Sequence, residues 1–305
     1  MNSVYCQCGK CEDVKVVIED GKAYEKHGFL KKIYFYFFWL PFINLLPKNL
    51  CKWIFVSSND HTKAIRETSK TYKSLELMYQ YYKQPIMGAK ERLVSSFWEL
   101  CVINAGAHRN RLELTKNELR NAIQERMNGS SRKIRILSVA SGSARAVIEA
   151  IAELKLVGSA VEVRLVDISR SALDYSKGLA SEFGVSSSVE LIRADVRDVS
   201  KYCNGWNPDI IEMVGLLDYF NQPEAIQLVS ALYDSLARNG AFITCNVNDN
   251  PEREFVTDVV NWAMVYRSRC QMAEVLLEGG FHPKDCTIFY EPFLIHGLAV
   301  ANKNT

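Results

Sequence analysis

The sequence predicts an α/β protein: a doubly wound, mostly parallel sheet over residues 131–305, preceded by a helical region over residues 1–130. Three observations carry that expectation. From residue 133 onward, short apolar runs alternate with amphipathic stretches, the pattern of strand–helix–strand units with helices on both faces of a sheet. Two last apolar runs, joined at Pro292, read as an antiparallel strand pair. Asn128-Gly129-Ser130-Ser131 breaks the chain between the two textures.

The N-terminal region is built differently. Residues 1–28 are weakly patterned, and Cys6, Cys8 and Cys11 form C-x-C-x-x-C without a fourth metal ligand nearby, so they read as a disordered, thiol-bearing tail with no metal. Residues 29–56 are rich in aromatic side chains and flanked by Lys31, Lys32, Lys48 and Lys52. The longest uncharged stretch, Ile33 to Leu46, is short of the roughly 20 residues a spanning helix needs. This composition suits peripheral contact with a membrane, or equally a packed helix pair or a lid over an apolar pocket. Residues 60–83 and 89–108 carry helical periodicity, and Thr115-x-x-Glu118 reads as a capping box opening a helix to about Met127.

The second region spells its elements one by one. Strands are expected at 133–140, 161–168, 189–196, 208–217 and 241–247, then at 286–291 and 293–302. Helices are expected at 144–156, at 171–184 with Ser169 as cap and Gly184 as stop, and at 223–240. Asn250-Pro251 is expected to open another helix, and Ser268-x-x-Gln271 to cap the next, which Gly279-Gly280 end.

Bulk properties exclude some functions. A net charge of +2 over 305 residues, without a basic stripe, argues against a nucleic-acid partner. Nine cysteines scattered through apparent core elements, and no leader-like start, suit a cytoplasmic, reducing compartment. No G-x-S-x-G elbow appears, and the five histidines are dispersed.

In a doubly wound sheet, ligands bind at the carboxyl ends of the strands. The first end offers Ser141, Gly142 and Ser143 ahead of a helix N-terminus; the second offers Asp167 and Ile168; the third, Asp195 and Val196; the fourth, Val214 and Gly215. An acid closing the second strand suits the ribose of NAD or of S-adenosylmethionine (SAM). The loop contains Ala140, Ser141 and Ala144 where a pyrophosphate needs bare backbone, so it favours SAM.

On these features, residues 133–303 resemble the class I SAM-dependent methyltransferases, whose fold is Rossmann-like. The family loop D-x-G-x-G-x-G falls here on Ser138, Ala140, Gly142 and Ala144, and Asp167 and Asp195 match its ribose and adenine acids. The resemblance implies SAM as cofactor. A narrower likeness joins "GLLDYF" at 215–220, the run Asn246, Asn250, Pro251, Trp262, Tyr266 and Arg267, and "AHRNRLEL" at 107–114. It is to a branch that includes bacterial enzymes forming methyl esters of 3-hydroxy fatty acids.

Three residues stand out as catalytic candidates. Asp218 can orient a nucleophile or act as base, or cap the turn before Pro223. Tyr266 reads as a substrate contact or as core. Arg267 can clamp a carboxylate with two hydrogen bonds, or pair at the surface with Glu291. Trp262 reads as core, and Arg109 and Arg111 as residues reaching over the cofactor or simply solvated. The expected activity is methyl transfer to a small, apolar or lipid-like acceptor, such as a carboxylate. The alternatives are a polar metabolite as acceptor, a non-catalytic SAM-fold binder, or an NAD-dependent reductase.

Overall fold

The alternation of apolar runs folds as the sequence predicts. The computed structural model describes residues 2–5, 11–57, 60–80, 102–128, 132–156 and 160–304. Its strands are β1 (Asn2–Tyr5), β2 (Lys15–Ile18), β3 (Ile134–Val139), β4 (Val161–Asp167), β5 (Val189–Arg193), β6 (Ile210–Val214), β7 (Ala241–Val247), β8 (Cys286–Tyr290) and β9 (His296–Asn302). They form one nine-stranded sheet in the order β1-β2-β8-β9-β7-β6-β3-β4-β5. Strands β3 to β7 pair in parallel, and β9 runs antiparallel to β7 and to β8.

The helices are α1 (Phe29–Tyr34), α2 (Leu40–Leu45), α3 (Lys48–Ser57), α4 (Asp60–Glu67), α5 (Tyr72–Tyr79), α6 (Ile103–Met127), α7 (Arg145–Glu153), α8 (Arg170–Glu182), α9 (Val199–Cys203), α10 (Gln222–Ser235) and α11 (Arg269–Glu278). Side chains alternate across a strand, so each central strand feeds two cores. Ile134 and Ile136 pack with Leu114 and Leu119 of α6 and Ile148 of α7. Leu137 and Val139 pack with Leu228 of α10 and Leu276 of α11 on the other face. Both faces are buried, which is why these strands are almost wholly apolar.

Three expectations are corrected. Residues 1–28 are not all tail: β2 pairs in parallel with β8, and Cys11 is buried in the core. Cys6 and Cys8 lie outside the described residues. Thr115 does not open a helix, because α6 runs unbroken from Ile103 and the Thr115 hydroxyl donates back to the Arg111 carbonyl. Helix α6 packs on the sheet, with Leu114 and Leu119 in one core with Ile134 and Ile136. The expected helix after Pro251 stops early. A π-turn spans Phe255–Val259, Asn261 turns left-handed, and residues 262–267 run beside the strand ends in neither helix nor strand. The cause is hydrogen bonding: Val265 N–H donates to the Asp218 carbonyl, and Arg267 N–H to the Val247 carbonyl. Most of the segment expected to be helical at 89–108 lies outside the described residues.

Residues 29–57 form two helical stretches bent by 111°, and among the described residues no single helix is long and apolar enough to cross a membrane. A π-helical turn at Phe35–Trp39 precedes Pro41, whose missing N–H cannot close an α-helical bond. One face of this hairpin buries Phe35, Trp39 and Phe55 against Phe255. Its other face is open: Phe29 is 77% exposed, Phe37 72%, Leu45 83% and Trp53 67%.

Candidate active site

The site begins with backbone geometry. Between β3 and α7 the chain reverses over Ala140 to Ala144, and three alternate residues turn left-handed: Ala140 (φ +51°), Gly142 (φ +55°) and Ala144 (φ +50°). These are the positions of the glycine-rich loop, so the glycine conformation persists where alanine stands. Asp167, at the end of β4, holds the loop from the side. Its Oδ2 accepts the Gly142 N–H at 2.9 Å and its Oδ1 the Ser169 N–H at 2.8 Å. The Ser141 hydroxyl is buried at this edge without a partner among the described residues.

Helices α4 and α5 form a roof over the loop. A side chain on Gly142 would meet the Tyr72 Cβ at 3.5 Å. The roof is fastened by a buried ion pair. Arg145 Nε lies 2.9 Å from Glu76 Oε1 and its Nη2 2.5 Å from Glu76 Oε2, while Nη1 reaches Glu149 at 2.8 Å. The Tyr175 hydroxyl also donates to Glu76. Burial opposes the charge on Glu76, but Arg145 outweighs it and holds the carboxyl below its ordinary range.

Loop and roof enclose a cavity of about 530 Å³. At one end lie Ser141, Gly142, Ser143, Asp167 and Ile168. At the other end lie Arg111 and His108 of α6, Glu212, Val214 and Gly215 of the β6 end, Asp218, and the aromatic pair Tyr219 and Trp262. The Trp262 indole N–H donates to the Tyr219 hydroxyl at 2.7 Å, and burial pushes that phenol up to about 12. Asp218 Oδ1 accepts the Val247 N–H at 2.8 Å. Burial raises Asp218 to about 6 against the pull of that bond and of Arg111 and Arg267. Glu212 faces the cavity from mid-sheet and accepts the Ser138 hydroxyl at 2.5 Å; burial raises it to about 7.

Some expected residues stand elsewhere. Arg267 is not the surface partner of Glu291. It is buried, and its guanidinium donates to the Leu217 and Phe220 carbonyls, Asn246 Oδ1 and Gln222 Oε1. Those oxygens take four of its five N–H groups, and they pin the 217–222 turn to β7. Tyr266 lies outside the cavity wall, with Arg253 stacked on its ring at 4.6 Å. Asp195 and Val196 are also outside the wall. Asp195 is tied to the Arg197 guanidinium and N–H, and the Val196 carbonyl accepts the Tyr202 hydroxyl. Trp262, expected as core, is buried with Phe255 and Val259 and also lines the cavity.

The sequence reading missed Glu212 and the Glu76–Arg145 pair. Glu212 had a signal: a lone carboxylate inside the apolar run "IIEMV" needs a partner or a ligand. Glu76 had none, because its partner lies 69 residues along the chain.

A family model described as "Putative methyltransferase" matches residues 68–303. No curated protein matches the chain significantly. Among solved structures, a possible exported protein from Bordetella parapertussis superposes with a TM-score of 0.63 at 14% identity, covering 86% of this chain and 98% of its own. Magnesium protoporphyrin IX methyltransferase (ChlM) from Synechocystis PCC 6803, with bound S-adenosylhomocysteine (SAH), superposes with 0.53 at 12% identity, covering 80% and 100%. At these identities the likeness establishes the fold, a Rossmann-like α/β sheet with N-terminal helices.

Proposed function

The chain belongs to the family described as "Putative methyltransferase", and from that premise we propose that it moves the methyl group of SAM to a small, apolar acceptor. One observation carries the reading: a single cavity joins a left-handed strand-end loop, held by Asp167, to a wall of Trp262, Tyr219, Met264 and Leu75. SAM supplies a sulfonium-bound methyl group to a nucleophile held in line with it. The residues at the loop end fit its adenosine. Asp167 keeps unused lone pairs for ribose hydroxyls, the Ser141 hydroxyl, without a partner among the described residues, is a ready donor, and the backbone of Gly142 admits close approach. Ser143 and Ile168 complete that end, and Val214 and Gly215 of the β6 end carry the cofactor site toward the other.

The chain's part in catalysis is placement. Holding two reactants aligned and out of water supplies several kcal/mol without covalent help. Asp218, fixed by the Val247 N–H, orients the acceptor from beside Trp262. A carboxylate acceptor is already a nucleophile at neutral pH and needs no base. The open face of the 29–57 hairpin, with Lys31, Lys32 and Lys52 around it, is the surface by which a cytoplasmic enzyme would meet a membrane holding such acceptors. Its buried face belongs to the same apolar cluster as Trp262 and Leu75, which line the cavity.

Titration calorimetry with SAH tests the core of the reading. Binding in the micromolar range, weakened at least tenfold by Asp167→Ala, is expected; no heat at millimolar SAH refutes it. Co-sedimentation with vesicles tests the surface: loss of binding in a Phe37→Ser, Trp53→Ser double variant is expected, and equal sedimentation of both proteins refutes it.

A further inference from the structure

The described buried arginines are satisfied to very different degrees. Arg145 has two carboxylates and Arg267 has four oxygens. Arg111 is just as deep, at 3% exposed, yet among the described residues its guanidinium donates only from Nη2, to the Tyr79 hydroxyl at 3.0 Å. Its Nε has no partner, and no carboxylate oxygen lies within 4.0 Å of the guanidinium, among the described residues. A buried cation left in this state costs several kcal/mol unless something completes it.

The surroundings say what completes it. Arg111 lines the cavity and lies over Gly215, where an added Cβ would be 3.6 Å from Nη1. The two acids sharing the cavity, Glu212 and Asp218, form no ion pair with the guanidinium among the described residues, and burial holds Glu212 toward its neutral form. A planar fork with an unused edge, in a dry cavity, matches a carboxylate in shape and charge.

We infer that Arg111 is the carboxylate-binding residue of this cavity. This rests on the methyltransferase reading for the identity of the two carboxylates that can reach it: that of the methionine half of SAM, or that of the acceptor. The position lies on a helix outside the strand–helix body, so no strand-end motif points to it.

The test uses ligand pairs that differ only at the carboxylate. Calorimetry on the wild-type chain compares SAH with its decarboxylated analogue, and, in the presence of SAH, decanoate with decanol. Each is repeated on Arg111→Met and Arg111→Lys. A preference of tenfold or more for the carboxylate member of one pair, lost in Arg111→Met and partly kept in Arg111→Lys, supports the inference, and the pair showing it identifies the source. Preferences below threefold in both pairs, or a preference that survives in Arg111→Met, overturn it. The wild-type comparison needs no variant to fold. Failure of SAH itself to bind would sink the methyltransferase reading instead, whereas SAH binding with no carboxylate preference sinks only the role of Arg111.

Discussion

The floor and the roof of the cavity are built from different materials. The floor is backbone: three left-handed residues, and two N–H groups donated to Asp167. The roof is long side chains reaching between elements distant in sequence, with Glu76 on α5 gripping Arg145 on α7. A backbone floor tolerates substitution, because any small residue that accepts the dihedral angles will serve. A side-chain roof does not, because removing one partner strands a buried charge. The sharpest way to break this contrast is Glu76→Ala. It leaves Arg145 with Glu149 alone and frees α5 from the loop. A loss of about 3 kcal/mol in unfolding free energy is expected, read by denaturant titration. A loss below about 1 kcal/mol would mean that the roof is not fastened by this pair.

A second prediction concerns the carboxylates that the cavity holds near neutrality. Glu212 has a folded-state value of about 7 against an ordinary 4.5. Its protonated form is therefore favoured by folding. That contribution is complete below about pH 4.5 and is lost as pH rises through about 7. The change amounts to roughly 3 kcal/mol at 1.36 kcal/mol per pH unit. Glu212→Gln mimics the protonated form, so its advantage over the wild type should grow between pH 5 and pH 8. Unfolding titrations at several pH values would show it. A difference independent of pH would mean that the carboxylate is already ionised in the fold. Asp218, raised to about 6, adds a smaller slope of the same sign.

The same contrast explains what could be read in the sequence. Strand and helix order from residue 133 onward was legible because each central strand is buried on both faces and each helix on one, and both conditions write themselves into local periodicity. Asp167 and Gly142 were legible because the loop is a local structure. Glu76 was not, because its placement depends on how α5 packs on α7 across a long chain separation, and Arg111 and Trp262 were legible only in part, Arg111 as reaching over the cofactor or solvated and Trp262 as core, because α6 and the 262–267 segment pack non-locally. The misread helix after Pro251 shows the limit. Its helical spacing was real, but the bonds of Val265 and Arg267 to strand-end carbonyls are non-local and won. Arg267 looked like a ligand clamp for the same reason: nothing local announces that four oxygens already surround it.

The smallest predicted effect probes the floor. Alanine in the left-handed region costs about 1 to 2 kcal/mol relative to its normal conformation, because Cβ crowds the carbonyl oxygen. Ala140 and Ala144 both bear that cost at φ near +50°. Glycine removes it but adds about 0.5 to 1 kcal/mol of unfolded-state freedom. Ala140→Gly and Ala144→Gly should therefore each change stability by a fraction of a kcal/mol in the stabilising direction, and both should keep their affinity for SAH. The two sites separate the argument further. Ala144 is the N-cap of α7 and is buried, so its methyl group contributes packing that glycine gives up. Ala140 is only half-buried at the cavity wall and gives up less. The gain should be larger at Ala140. A clear destabilisation at Ala140 would show that its methyl group, rather than the backbone turn it occupies, shapes the floor.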